Sequence, residues 1–124
     1  MWLLRKQFRF EASHQLMNHD GPCARLHGHS WVGEVEIESN LLVMSGPKQG
    51  MVMDYADLSK LLDPIVKTLD HHHLNEVLNI DCPTSEHVAH WIFERLHKYF
   101  PRDGVHLRAV SIKETCTSEC VYSE

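Results

Sequence analysis

The chain has 124 residues, of which 43% are hydrophobic and 23% charged, a composition ordinary for one globular domain with a buried core. Its 12 basic and 17 acidic residues give a formal net charge of -5, which disfavours nucleic acid or an anionic membrane as a partner. No stretch approaches the roughly 20 apolar residues that span a bilayer, and residues 1–10 hold too short an apolar run for an export signal. We expect a single cytoplasmic domain over residues 1–124.

Alternating side chains predict two strands in the first third of the chain. From Leu4 to His14, apolar residues and His14 share one face while polar residues take the other. A turn-rich stretch follows from Asn18 to Pro22. From His27 to Ser39 the alternation resumes, with Trp31 and further apolar residues opposite three glutamates. We expect the two segments to pair as antiparallel strands.

Two helices are predicted next. Asp54 is suited to cap the first, whose apolar residues recur at helical spacing up to Leu69, and Pro64 is expected to kink or split it. Residues 83–84 open the second helix, a strongly periodic segment that residues 100–101 end.

A closing pair of strands completes the prediction, from Val105 to Thr115 and from Cys120 to Tyr122. The order is then strand, strand, helix, helix, strand, strand. Helices grouped apart from strands in this way indicate the α+β class, with an antiparallel four-stranded sheet and both helices on one face.

Three of the 11 histidines are placed to converge. His27 and His29, separated by Gly28, project from the same face of a strand, and His14 lies on the apolar face of the strand expected beside it. Three nitrogen ligands with a fourth position open to water or substrate are typical of catalytic zinc. The alternative is that His14 is a hydrogen-bonded core histidine and the His-Gly-His triplet only a polar start of a strand.

The four cysteines are Cys23, Cys82, Cys116 and Cys120. A reducing compartment favours free thiols over disulfides. Cys23, close before the paired histidines, is the candidate reactive thiol, and the other three are expected to be packing residues or inert thiols.

Five groups of residues occur along the chain in a fixed order. They are residues 10–14 (FEASH) with 23–30 (CARLHGHS), 53–58 (MDYADL), 69–72 (LDHH) with Asn75, 83–86 (PTSE), and 113–117 (KETCT). Together they resemble the 6-pyruvoyltetrahydropterin synthase family, most closely its 6-carboxytetrahydropterin synthase branch. Three residues separate Cys23 from the His-Gly-His triplet, as in the 6-carboxy branch, whereas enzymes that make 6-pyruvoyltetrahydropterin typically have five.

The resemblance implies the tunnelling fold, a ββααββ subunit that assembles into barrels around a central tunnel, commonly as a hexamer of two trimers. Active sites in the family lie between subunits. Unpaired edges of a four-stranded sheet give a physical motive for such a homo-oligomer, because a neighbour's strand satisfies them.

The resemblance also implies a reaction. It is the zinc-dependent conversion of 7,8-dihydroneopterin triphosphate to 6-carboxy-5,6,7,8-tetrahydropterin, acetaldehyde and triphosphate, a step towards queuosine and other deazapurines. One zinc per subunit would be held by His14, His27 and His29. A metal with an open position acts as a Lewis acid on the side-chain hydroxyls of the substrate.

Further roles follow from the same resemblance. Cys23 would be the general base on a side-chain carbon proton, as a thiolate stabilised by a nearby cation or histidine. His71, oriented by Asp70, would relay protons with the cysteine. Glu114 would accept two parallel N–H donors from the pterin edge and take part in the relay; without the resemblance it would be a surface acid at the end of a strand.

The sequence leaves some assignments open. Thr84 and Ser85, at a helix N-terminus, either hydrogen-bond the substrate or simply cap the helix. The triphosphate has three basic candidates that the sequence does not rank, Arg25, Lys48 and Lys113.

Two alternative functions also remain. The first is the related synthase that makes 6-pyruvoyltetrahydropterin by eliminating triphosphate. The second is a histidine-rich metal-binding protein, in which His87, His90 and His97 of the second helix join the other ligands. His72 and His73 are interpreted as exposed polar side chains.

Overall fold

Two long strands form the centre of the sheet. The computed structural model describes all 124 residues, and in it β1 (Trp2–His14) pairs antiparallel with β2 (His27–Ser39) over their whole length. The predicted limits of β2 are confirmed, and β1 starts two residues before the expected Leu4. The pairing places His14 directly opposite His27.

One face of this pair is buried and lies against the helices. Its side chains alternate with exposed or half-buried polar ones, as the sequence pattern predicts. Phe8 lies across from Gly33, and a Cβ atom at that glycine would be 2.0 Å from the Phe8 ring. The glycine therefore makes room for the aromatic ring between the two strands.

Two further antiparallel strands extend the sheet beyond β2. β4 (His106–Lys113) pairs with β2, with an irregularity in register between Glu36 and Ile37, and β5 (Cys120–Ser123) pairs with β4. The predicted closing pair of strands is thus confirmed, although β4 is shorter than the expected Val105–Thr115.

The expected four strands and two helices undercount the elements. A two-residue strand, β3 (His72–His73), runs parallel to β1 at the outer edge, so the sheet has five strands in the order β3-β1-β2-β4-β5. A five-residue helix, α2 (Leu74–Leu78), follows it. Neither element is long enough to leave a periodic pattern in the sequence.

The two predicted helices are present on the buried face of the sheet. α1 (Tyr55–Leu69) begins after Asp54, whose carboxylate accepts a hydrogen bond from the Ala56 N–H. Pro64 does not split α1, which continues for another five residues. Pro64 is exposed, so the carbonyl that loses its partner faces the side of the helix that water reaches.

The second of these helices is α3 (Ser85–His97), with Thr84 as its N-cap. Buried residues of α1 and α3 join those of the sheet in one cluster of 21 side chains. No helix combines the length and the apolar character needed to cross a bilayer.

Candidate metal centre and active site

Three imidazoles converge at the end of the β1–β2 pair, as the sequence predicts. His29 lies opposite Ala12 and His27 opposite His14, so all three histidine side chains leave the sheet on the helix-facing side. One nitrogen from each ring lies within 4.8 Å of the other two. The ring centroids are 4.5 to 5.1 Å apart.

Hydrogen bonds fix the tautomers of two of these rings. His14 Nδ1 lies 2.9 Å from the Pro83 carbonyl, and His27 Nδ1 lies 2.7 Å from the Arg25 carbonyl. A carbonyl only accepts, so each Nδ1 carries a proton, and in the neutral ring this leaves a lone pair on Nε2. The two Nε2 atoms are 2.9 Å apart. Facing lone pairs at this distance repel unless a cation lies between them, and backbone partners on the second nitrogen are usual for histidines that bind metals.

The third ring adds an unpartnered buried nitrogen. His29 Nε2 is buried without a hydrogen bond, and its nearest acid is Glu114, with Oε2 at 3.7 Å. Burial lowers the pKa of His14 and of His29, with the Glu114 carboxylate opposing the shift less strongly. Both rings are therefore neutral near pH 7, the form that binds a metal. Three imidazole nitrogens that converge in this way fit a divalent ion that takes nitrogen ligands.

Trp31 forms the floor of this site, which the sequence placed only as a core residue. It is completely buried, its ring meets those of His14 and His29 edge-on with centroids 5.0 and 5.3 Å away, and its indole N–H donates to the Ala12 carbonyl. A rigid aromatic wall on one side restricts the directions that the imidazoles can take.

The Asp70–His71 pair lies between α1 and β3. Asp70 Oδ2 is 2.9 Å from His71 Nδ1, and Asp70 Oδ1 accepts a hydrogen bond from the Glu11 N–H at 2.8 Å. The Glu11 N–H first, and His71 second, lower the pKa of Asp70, so the carboxylate is ionised. His71 has a φ of 59°, a left-handed conformation that non-glycine residues rarely adopt outside functional sites and turns.

Cys23 lies in a short 3-10 turn, Pro22–Ala24, that leads into β2. The residue is half-buried and its thiol is free. The sulfur is not part of the imidazole cluster, and His71 Nδ1 is engaged by Asp70. The side chain of His71 is 78% exposed. One subunit therefore brings the three imidazoles together, but it does not bring the thiol and the Asp70–His71 pair into hydrogen-bond contact.

Glu114 borders a cleft of about 300 Å³ between the start of α3 and the end of β4. It follows the last residue of β4 and lies on the same side as Ile112, and its carboxylate is half-exposed. Ser85 and Thr115 also line this cleft. The contact between Glu114 and His29 places the cleft beside the imidazole cluster.

Comparison with known proteins identifies the family. The model of the family described as 6-pyruvoyl tetrahydropterin synthase matches residues 3–124. The chain belongs to this family.

Relatives and solved structures agree with that assignment. A Synechocystis protein named 6-carboxy-5,6,7,8-tetrahydropterin synthase is 48% identical over 98% of this chain and 93% of its own length. A Pyrococcus furiosus protein named dihydroneopterin monophosphate aldolase is 39% identical over 85% of this chain and 82% of its own. The solved 6-pyruvoyl tetrahydropterin synthase of Caenorhabditis elegans superposes with a TM-score of 0.83 at 28% identity, covering 99% of this chain and 95% of that one. The subunit fold that the resemblance implied is thereby confirmed.

Thr84 and Ser85 have different partners at the start of α3. Thr84 Oγ1 accepts a hydrogen bond from the His87 N–H, so Thr84 caps α3. The Ser85 hydroxyl donates to Glu86 and lies at the edge of the cleft. Ser85 lines the cleft beside Glu114, and Thr84 does not.

The basic candidates for the triphosphate also differ in their surroundings. Lys48 forms ion pairs with Asp54 and Asp57, and Lys113 lies 3.6 Å from Glu119. Arg25 is exposed and forms no ion pair, so its charge is the one not already engaged.

The remaining histidines form no second cluster. His72 is exposed, as expected, but His73 is half-buried and its Nδ1 lies 2.9 Å from Ser13 Oγ, so that part of the prediction is wrong. The α3 histidines have other partners and do not join the cluster of metal-ligating groups: His87 contacts Thr84, His90 pairs with Glu94, and His97 stacks on Phe93.

Proposed function

We propose that the chain is a zinc-dependent lyase of the 6-carboxytetrahydropterin synthase type. It would convert 7,8-dihydroneopterin triphosphate and one water to 6-carboxy-5,6,7,8-tetrahydropterin, acetaldehyde and triphosphate, in the biosynthesis of queuosine and related deazapurines. The observation that carries the proposal is the 48% identity to a relative of that name over nearly the whole chain. The three-residue spacing between Cys23 and His27 supports the same branch.

One zinc per subunit would be held by the Nε2 atoms of His14, His27 and His29. When bound, it supplies Lewis acidity to the hydroxyls of the substrate side chain. The Pro83 and Arg25 carbonyls hold two of the rings with the ligating nitrogen free. This second layer of hydrogen bonds also raises the basicity of the ligands.

Cys23 would remove a proton from a carbon of the side chain, and His71 would carry protons to and from the thiol. Asp70 is ionised and holds His71 Nδ1, which leaves His71 Nε2 directed away from the carboxylate and available for transfer. Within one subunit no hydrogen bond joins this pair to Cys23. The reaction would therefore take place at a subunit boundary of a homo-oligomer, which the family resemblance gives as a hexamer.

Glu114 and Ser85 would bind the pterin in the cleft beside the metal. Two carboxylate oxygens of Glu114 can accept both N–H donors of an aminopyrimidine edge. The Ser85 hydroxyl adds a donor or acceptor at the other wall of the cleft. Arg25 would contact the triphosphate, since its guanidinium has no carboxylate partner.

Product analysis tests this function. Incubation with 7,8-dihydroneopterin triphosphate should release acetaldehyde in equal amount to a carboxypterin, with Cys23→Ala inactive and still loaded with zinc. The related synthase that makes 6-pyruvoyltetrahydropterin would release triphosphate and no acetaldehyde. A histidine-rich metal-binding protein would bind several ions per chain and tolerate Cys23→Ala. A parallel incubation with dihydroneopterin monophosphate examines the activity that the Pyrococcus relative is named for.

A further inference from the structure

The side chain of Asn75 is fully engaged by hydrogen bonds, although the proposed function gives it no role. Asn75 Oδ1 accepts from the Gln15 N–H at 2.9 Å, and Asn75 Nδ2 donates to the Gln15 carbonyl at 2.7 Å and to the Asp81 carbonyl at 3.1 Å. The Asn75 carboxamide thus hydrogen-bonds both the N–H and the carbonyl of Gln15, as the backbone of a neighbouring strand would. Asn75 is the second residue of α2, just beyond the short edge strand β3.

The two hydrogen bonds to Gln15 fix the backbone beside a ligand of the proposed metal site. Gln15 directly follows His14, the last residue of β1. His14 is 1% exposed and its ring is enclosed by protein. The direction of the imidazole therefore depends on where the chain leaves β1, and Asn75 holds that point from both the N–H and the carbonyl of Gln15.

The hydrogen bond to Asp81 holds the loop that carries the acceptor for the same ring. Asp81 lies two residues before Pro83, whose carbonyl accepts the His14 Nδ1 hydrogen bond. The Asp81 carbonyl takes hydrogen bonds from Asn75 Nδ2 and from the Met17 N–H, at 3.1 and 3.2 Å. One carboxamide therefore joins the loop that holds His14 Nδ1 to the strand that carries His14.

We propose that Asn75 is a positioning residue of the metal centre, whose carboxamide directs the His14 imidazole towards the point where His27 and His29 converge. The inference rests on the proposed zinc site and adds to it a residue that touches neither metal nor substrate. Replacement by aspartate preserves the shape of the side chain but removes both donated hydrogen bonds, and it sets a carboxylate oxygen against two carbonyl oxygens. Groups that orient metal ligands typically contribute about 10–100-fold to metal affinity.

Zinc affinity by chelator competition, together with the visible absorption spectrum of the Co²⁺-loaded full chain, tests the inference. Asn75→Asp should weaken zinc binding about 10–100-fold and alter the Co²⁺ bands. Asn40→Asp is the matched control, because Asn40 is exposed and its side chain makes no hydrogen bond. Leu62→Ala is the second control, because it creates a cavity in the core on α1 and lowers stability without touching the site.

Both controls should bind zinc as tightly as the wild type and give its spectrum. Unchanged affinity and spectrum in Asn75→Asp, or an equal loss of affinity in Leu62→Ala, would overturn the inference. Should Asn75→Asp fail to fold, Asn75→Ala, which adds no charge, decides by the same criteria. If the wild-type protein itself does not bind zinc, the proposed function is contradicted. If the wild type binds zinc and Asn75→Asp binds it equally tightly, only this inference is contradicted.

Discussion

Gly33→Ala should destabilise the pairing that positions the metal ligands. An alanine Cβ at this position would lie 2.0, 2.4 and 2.6 Å from three atoms of the Phe8 ring. Phe8 is 8% exposed and stacks on Phe10, so the ring cannot turn aside without displacing other core side chains. Overpacking of this kind costs about 1–3 kcal/mol. We expect a loss in the free energy of unfolding within that range.

Urea unfolding of the metal-free chain, at fixed protein concentration, measures the effect. Gly28→Ala is the matched control on the same strand, since a Cβ there meets nothing closer than 3.5 Å; it should be neutral or stabilising by about 0.4–1 kcal/mol. Phe8→Leu in the Gly33→Ala background should recover part of the loss, because the two sites are in contact and therefore couple. A Gly33→Ala variant as stable as the wild type would refute the steric reasoning.

Three further outcomes are expected. Acidification of the metal-free chain should lower its stability below about pH 6.5. Burial lowers the pKa of His14 and His29 in the folded state, so the unfolded chain takes up protons first. The free energy of unfolding should fall by at most about 1.4 kcal/mol per pH unit for each histidine. Urea midpoints of wild type and of a His14→Gln/His29→Gln variant, measured between about pH 7.5 and about pH 5.5, check this, and an equal slope in both contradicts it. Thr84→Ala should lower the free energy of unfolding by about 1 kcal/mol through loss of the cap, measured by thermal unfolding, and leave KM unchanged. A KM raised about tenfold, equal to about 1.4 kcal/mol, would instead indicate that Thr84 binds the substrate. Asp70→Asn should lower kcat by about 10²–10⁴-fold at unchanged KM and zinc content, and steady-state rates equal to wild type would remove Asp70 from the relay.

The regular elements and the imidazole cluster were predictable from the sequence because both depend on local periodicity. Alternation fixes which residues of a strand share a face, and it predicts His14, His27 and His29 on one side of neighbouring strands. The N-caps at Asp54 and Thr84 follow from the residue types that accept hydrogen bonds at helix starts.

Other features depend on contacts that no local pattern encodes. The parallel pairing of β3 with β1 spans about 60 positions of the chain, and so do the bonds of His73 to Ser13 and of Asn75 to Gln15. The close approach of Phe8 to Gly33 is likewise visible only once the register is set. Cys23 and His71 are remote in sequence, and within one subunit no hydrogen bond joins them, so neither periodicity nor spacing could predict their geometry.

Zinc content tests the central claim most directly. Tag-free wild-type protein and His27→Ala, purified without chelators, would be analysed by inductively coupled plasma mass spectrometry, with circular dichroism as the check on folding. Three converging imidazoles with an open fourth position predict about one zinc per wild-type chain and a large loss of zinc in the folded variant. Wild-type protein without stoichiometric zinc, or a His27→Ala chain that retains as much as the wild type, would contradict the account.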